Sequence, residues 1–172
     1  MKEFPRRLYA SFRDFLADVR NVMSARKDMR GMMRGLGPAF RERLFLAVTQ
    51  VNGCRYCSYY HENQALLSGV TVEEIQGLGD GLLDHCPQGE LAALHYARHW
   101  AEMDARPEDT ARTHLLETYG AETAAQIELA LRMIRIGNLT GNLFDYILFR
   151  LSFGLIDVNR PLKRIAQNEA KL

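Results

Sequence analysis

Val51-Asn52-Gly53-Cys54-Arg55-Tyr56-Cys57-Ser58-Tyr59-Tyr60-His61-Glu62-Asn63-Gln64-Ala65 is the stretch on which the reading of this chain turns. Gly53 breaks whatever precedes it. From Ser58 to Leu67 the composition suits a helix, and Gly69 ends it. The cysteines therefore fall on the first turn of a new helix. A helix advances about 100° per residue, so Cys54 and Cys57 lie about 60° apart around the axis, with His61 between them. The three share one face. An i, i+3 pair of thiols can approach each other, and an imidazole at i+4 can reach a thiol.

That placement has a chemical meaning. The thiolate is the nucleophile, and two features here favour it: the unpaired N–H groups of a helix start, and a histidine able to take the proton. A second cysteine one turn away can convert a sulfenic acid into a disulfide. These are the parts of a thiol peroxidase or a disulfide reductase.

The remaining composition narrows the class. The chain has 172 residues, 47% of them hydrophobic and 25% charged, with a net charge of +1. One soluble domain is the expectation, and the charge points to neither a nucleic-acid nor a membrane partner. No run approaches a membrane span of about 18 apolar residues. Met1-Lys2-Glu3-Phe4-Pro5-Arg6-Arg7 lacks the apolar stretch of a signal peptide. A cytoplasmic location follows as an expectation. Three cysteines in such a chain are no disulfide framework, so Cys-x-x-Cys reads as catalytic or metal-binding.

Outward from the cysteines, helical periodicity dominates. Residues 4–25 place Phe4, Leu8, Phe12, Phe15, Leu16, Val19, Val22 and Met23 at the spacing of an amphipathic helix. The basic, glycine-punctuated stretch 26–37 reads as a solvated connection rather than a phosphate site. Pro38 suits a first helical position, and that helix runs to Asn52-Gly53. Thr71-Val72-Glu73-Glu74 is a capping-box pattern opening a short helix to about Leu78, with a loop over Gly77 to Gly81. Gly89 to Asp104 is a strong helix, with Leu91, Leu94, Ala97, Trp100 and Ala101 on its apolar side. Another begins at Pro107 and ends at Gly120. Ala121 to Leu151 is one long apolar-rich region. Gly137 and Gly141, with Asn138 and Asn142, interrupt it at i, i+4, a spacing that allows close helix approach or a kink. A last helix runs from Pro161 to about Glu169. The fold class is all-α, without repeats or useful β-alternation. Three stretches are expected: an N-terminal helix and connection over 1–35, a helical core over 36–152 and a C-terminal helix over 153–172.

With the chemistry located, Val51 to Ala65 resembles the alkylhydroperoxidase D-like branch of the carboxymuconolactone decarboxylase family. That branch carries Glu-x11-Cys-x2-Cys-x3-His, which falls here on Glu42, Cys54, Cys57 and His61. Asn52 to Cys57 also looks like the wording of the peroxidase-related members. The likeness is sharpest over about residues 38–80 and looser to about 150. It implies a helical bundle, a thiol-dependent peroxidase and a homo-oligomer, as a trimer or hexamer or else a dimer. It also implies that Cys57 is the peroxide-attacking thiolate, Cys54 the resolving thiol, and His61 with Glu42 a proton relay. A small hydroperoxide would be the substrate and a dithiol the reductant, with no cofactor and no metal ion. The best-studied subgroup has a histidine where this chain has Tyr56. Members that decarboxylate lack the cysteine pair, which weighs against that chemistry here.

Blander readings stand beside these. A closed zinc site needs four ligands. Cys54, Cys57 and His61 supply three, with Cys86, His85, His95 or His99 as candidates for the fourth, but no second pair has finger-like spacing. Redox chemistry is preferred to zinc and to mere packing. His95 and His99 read as a polar stripe, Cys86 as a bystander thiol, and His114 with the Arg132/Arg135 pair as helix surface. Glu42 alone would read as surface charge; only its spacing to the cysteines raises it. The competing functions are a protein disulfide reductase and a non-catalytic, redox-sensing helical oligomer.

Overall fold

A computed structural model describes residues 3–158. Among these residues there are seven α-helices and no strand: α1 (Phe12–Ser24), α2 (Met29–Gly35), α3 (Pro38–Asn52), α4 (Arg55–Leu67), α5 (Val72–Asp80), α6 (Leu91–Glu102) and α7 (Asp109–Leu151). The all-α expectation is met. None of these helices is long and apolar enough to cross a membrane. The expected helix from Pro161 lies outside the described residues.

The core is built around α3. Pro38 starts it with its fixed φ, and Gly53 ends it in the left-handed region at φ 73°. Every residue from Glu42 to Thr49 is buried. A helix covered on all sides belongs at the centre, and α3 packs against α4, α5, α6 and α7. Leu44 and Val48 on α3, Leu94 and Trp100 on α6, and Ile127 and Leu131 on α7 are all buried in one cluster. Each such side chain contributes about 1.5–3 kcal/mol through lost apolar exposure. Arg43 ties the layers together, bonding Glu74 of α5 at 2.8 Å and Glu90 at 3.1 Å.

Several local signals are realised as read. Thr71 and Glu74 cap α5 reciprocally, at 3.2 Å and 2.7 Å. Gly120, at φ 76° and ψ 164°, breaks α7 between its 109–119 and 121–151 limbs. The helix after Gly120 runs on through Gly137 and Gly141 without a kink, so close approach is what that spacing serves.

Other expectations need correction. The first helix begins at Phe12, not near Phe4. The Ser11 hydroxyl caps it, and residues 3–10 are spent on contacts with α7 instead. The stretch 26–37 is not a solvated connection. It contains α2, whose Met32 is buried, and the following Leu36 is buried too. Two apolar side chains on one side gave the short helix its seat. The only buried residue of α1 is Asp18. Tyr9 donates to it at 3.0 Å and Arg132 at 3.1 Å, and Arg135 also holds it. Arg135 is therefore a buried ion-pair partner rather than helix surface. The loop expected from Gly77 begins four residues later, at Gly81. Gly77 is buried, and a Cβ there would stand 3.2 Å from the Leu82 carbonyl oxygen. That glycine serves a close contact and does not end the helix.

Candidate active site

The turn at Gly53 delivers Cys54 to the N-cap of α4, and its sulfur accepts from the Cys57 N–H at 3.4 Å. The cysteines are free thiols with their sulfurs 3.0 Å apart. Cys54 is fully buried, whereas Cys57 is partly exposed. When Cys54 is ionised, the Cys57 thiol donates to its sulfur. That bond, with the Cys57 and Tyr56 N–H groups and the charge of Arg6, draws the Cys54 thiol down to about 7 against the opposing effect of burial. The same bond pushes the Cys57 thiol above the ordinary range, helped by burial and by the Cys54 charge. The Asn138 amide, bonded to the Cys57 sulfur, works the other way. These directions make Cys54 the more acidic sulfur of the pair and leave Cys57 the more exposed one.

His61 and Glu42 meet. The imidazole Nδ1 lies 2.7 Å from a Glu42 carboxylate oxygen. Glu42 projects from the buried side of α3, where its other oxygen has the Arg41 guanidinium at 3.9 Å. The ring of Phe45 packs against the imidazole, centroids 4.9 Å apart. With Nδ1 engaged, Nε2 is the nitrogen left to exchange a proton on the face that α4 shares with Cys57. The four residues expected at the site therefore form two bonded pairs, Cys54 with Cys57 at the start of α4 and His61 of α4 with Glu42 of α3.

The α7 helix closes the site from the other side. A Cβ on Gly141 would come within 2.8 Å of the Cys54 sulfur, and one on Gly137 within 3.9 Å of the Cys57 sulfur. Gly137 is exposed, so bare backbone is what stands beside the partly exposed sulfur. Asn138 bridges to α3, donating to Thr49 at 3.0 Å and accepting from Asn52 at 3.1 Å. Asn142 donates to the Asn52 carbonyl at 2.7 Å. One helical turn on, Asp145 is fully buried. It accepts from Tyr56 at 2.6 Å and from Arg55 at 2.7 Å, and Arg6 holds its other oxygen. Tyr56, whose part the sequence left open, is a carboxylate partner here; burial and then that bond raise its phenol.

Sequence reading missed Asp145, Asn138 and Arg6. A signal existed for the first two: Arg135, Asn138, Asn142 and Asp145 repeat at three and four residues, a polar stripe that turns out to be buried. The other candidates stay apart. Cys86 is buried in its loop, and burial with the nearby Glu74 pushes its thiol up to about 11. His95 is exposed and His99 half-buried, both on α6. Among the described residues no three His, Cys, Asp or Glu side chains stand together as a metal site. Neither Cys86 nor His85, His95 or His99 completes a ligand set with the cysteine pair.

Searches among curated proteins and among solved structures return no match. Residues 20–102, a segment that holds Glu42, Cys54, Cys57 and His61 but neither residues 3–10 nor α7, match the model of the carboxymuconolactone decarboxylase family.

Proposed function

We propose that this chain is a thiol-dependent peroxidase that cycles Cys54 and Cys57 between dithiol and disulfide, as in the alkylhydroperoxidase D-like branch of that family. The observation that carries the reading is the sulfur pair itself. Two free thiols stand 3.0 Å apart at a helix start, one acidic and one reachable from outside.

Cys57 is the attacking sulfur because it is the one a hydroperoxide can reach, past Gly137. Its proton leaves to the Cys54 thiolate or to His61, whose imidazole Glu42 orients and supports as a cation. The Cys57 thiolate takes the terminal oxygen of ROOH. The O–O bond breaks, and the departing alkoxide collects a proton from the acidic partner as ROH. Cys57 is now a sulfenic acid. The Cys54 thiolate attacks it, forming the disulfide and expelling hydroxide, which takes a proton from solvent and leaves as water. An external dithiol, oxidised in turn to its own disulfide, restores the two thiols.

The test follows two thiols and one sulfenic acid. Mixing reduced protein with a small hydroperoxide should consume two thiols per chain and produce a Cys54–Cys57 disulfide. Cys57→Ser should abolish turnover. Cys54→Ser should stop at a sulfenic acid on Cys57 that a dimedone-type probe labels. Unchanged thiols in the wild type would remove the peroxidase reading and leave a redox-silent pair. Labelling of Cys54 in a Cys57→Ser protein that still turns over would exchange the two roles.

A further inference from the structure

The segment 3–10 lies outside the matched family segment, yet Phe4, Arg6, Arg7 and Tyr9 fasten it to α7, α6 and α1. Phe4 packs on Tyr146 and Phe149, with centroids 5.4 Å and 5.8 Å away. The Arg7 carbonyl accepts from Asn142 at 2.9 Å, and its guanidinium donates to the Ala101 carbonyl at 2.7 Å. Tyr9 reaches Asp18. Between these anchors Arg6 turns inward. Its stem crosses the Gly53 turn, 3.6 Å from where a Cβ would stand, and its side chain, 8% exposed, meets the buried Asp145 through the guanidinium.

Among the described residues, the start of α4 beside Cys54 gathers its charged and polar groups from four elements. Arg55 and the neutral Tyr56 and Cys57 thiol come from α4, Asp145 from α7, and Arg6 from the N-terminal segment; the nearest α3 groups, Thr49 and Asn52, are neutral. Arg55 is the first residue of α4, and that helix has no acid in its first turn. A cation there opposes the helix dipole. Asp145 neutralises it from α7, and a second guanidinium then brings the cluster to a net charge of +1.

We propose that Arg6 is a positioning residue of the redox site: through Asp145 it clamps Arg55 and Tyr56 at the start of α4, and it leaves one uncompensated positive charge behind Cys54. The proposal rests on Cys54 and Cys57 being the working couple. A positive charge favours the thiolate, hence the reduced dithiol, and makes the disulfide more oxidising. Because Arg6 touches neither sulfur nor substrate, its effect is transmitted by field and by placement of the α4 start.

The experiment uses the full chain in a Cys86→Ala background. The first thiolate to form is followed by its absorbance near 240 nm against pH, and the Cys54–Cys57 potential is measured in dithiothreitol redox buffers. Arg6→Ala should raise the first thiol midpoint by roughly one pH unit. It should also make the disulfide up to about tenfold harder to reduce, a change of about 30 mV. Arg6→Lys should restore most of both shifts. Arg7→Ala, which alters the neighbouring anchor and leaves Asp145 untouched, should move neither. An Arg6→Ala curve superimposed on the wild type would overturn the proposal. So would Arg6→Lys behaving as Arg6→Ala, or Arg7→Ala shifting as far, since both assign the effect to packing. If the wild type consumes no thiols with hydroperoxide, the peroxidase reading fails by itself, and the titration still decides whether Arg6 sets the acidity of Cys54.

Discussion

Once the first proton of the Cys54–Cys57 pair has left, the surroundings favour keeping the remaining one on Cys57. In reduced protein one thiolate should therefore appear near pH 7, with no second one from this pair in the ordinary thiol range. Cys54→Ser should remove that early ionisation. Cys57→Ser should move it upward or leave it broadened, since it exchanges the thiol donor for a hydroxyl. The sign for stability follows from linkage. Between about pH 7 and the ordinary thiol value of 9.0, the native chain has released a proton that the unfolded chain still holds. Reduced native protein should gain stability as pH rises through that window, and the Cys54 contribution should vanish below it. Urea unfolding of the reduced protein at pH 6, 7, 8 and 9 measures it. His61→Ala should slow peroxide consumption by about 10²–10⁴-fold, the usual worth of a general acid–base group. Glu42→Gln should act in the same direction and less. Stopped-flow rates for a folded variant equal to wild type would remove the relay. At this scale the motif was fully legible in Glu42, Cys54, Cys57 and His61, because their spacing lies within two adjoining helices. The charge that residue 6 brings to Cys54 was not, because nothing in the chain order joins Arg6 to Asp145.

The two glycines of α7 make a contrast at the level of helix against helix. Gly141 admits the Cys54 sulfur, and a Cβ at 2.8 Å from a short, buried side chain cannot be absorbed by rotation. Gly141→Ala should push α4 and α7 apart and cost about 1–3 kcal/mol, the usual range for overpacking. Gly137 leaves 3.9 Å, ordinary contact. Gly137→Ala should be tolerated, with a gain of roughly 0.5–1 kcal/mol from helix propensity. Thermal melts of the two variants check both signs; equal effects would mean that the close approach at Gly141 does not govern the packing. Helix starts at Pro38 and Thr71 and breaks at Gly53 and Gly120 were readable because each rests on a local backbone rule. The start of α1, the existence of α2 and the burial of Arg135 were not. Each depends on what another helix offers: α7 binding residues 4–9, a seat for Met32 and Leu36, an aspartate on α1. Hydrophobic period alone cannot show that a helix is held by its one buried carboxylate.

For the molecule as a whole, the outer side of α7 is the surface that bears on association. Leu143, Phe144, Ile147 and Leu151 recur at three and four residues on that helix and are all exposed. An apolar row of this kind is expected to lie against another copy of the chain. Light scattering at micromolar concentration should give a multiple of 19.7 kDa. The double change Phe144→Glu, Ile147→Glu should reduce it to the monomer, while a wild-type mass equal to one chain would dismiss the association. The match over residues 20–102 holds the four sequence-legible site residues and omits the partners supplied by residue 6 and by α7. That division has a bearing on timing. Asp145 is 139 positions from Arg6, 90 from Arg55 and 89 from Tyr56 in the chain. Such distant groups can meet only after the intervening chain has been made and folded. A polypeptide emerging from the ribosome therefore presents its two thiols long before the carboxylate that organises their surroundings exists. Until the last turns of the long helix arrive, Arg6, Arg55 and Tyr56 have no common carboxylate to bind, so the clamp at the start of α4 is completed only at the end of synthesis.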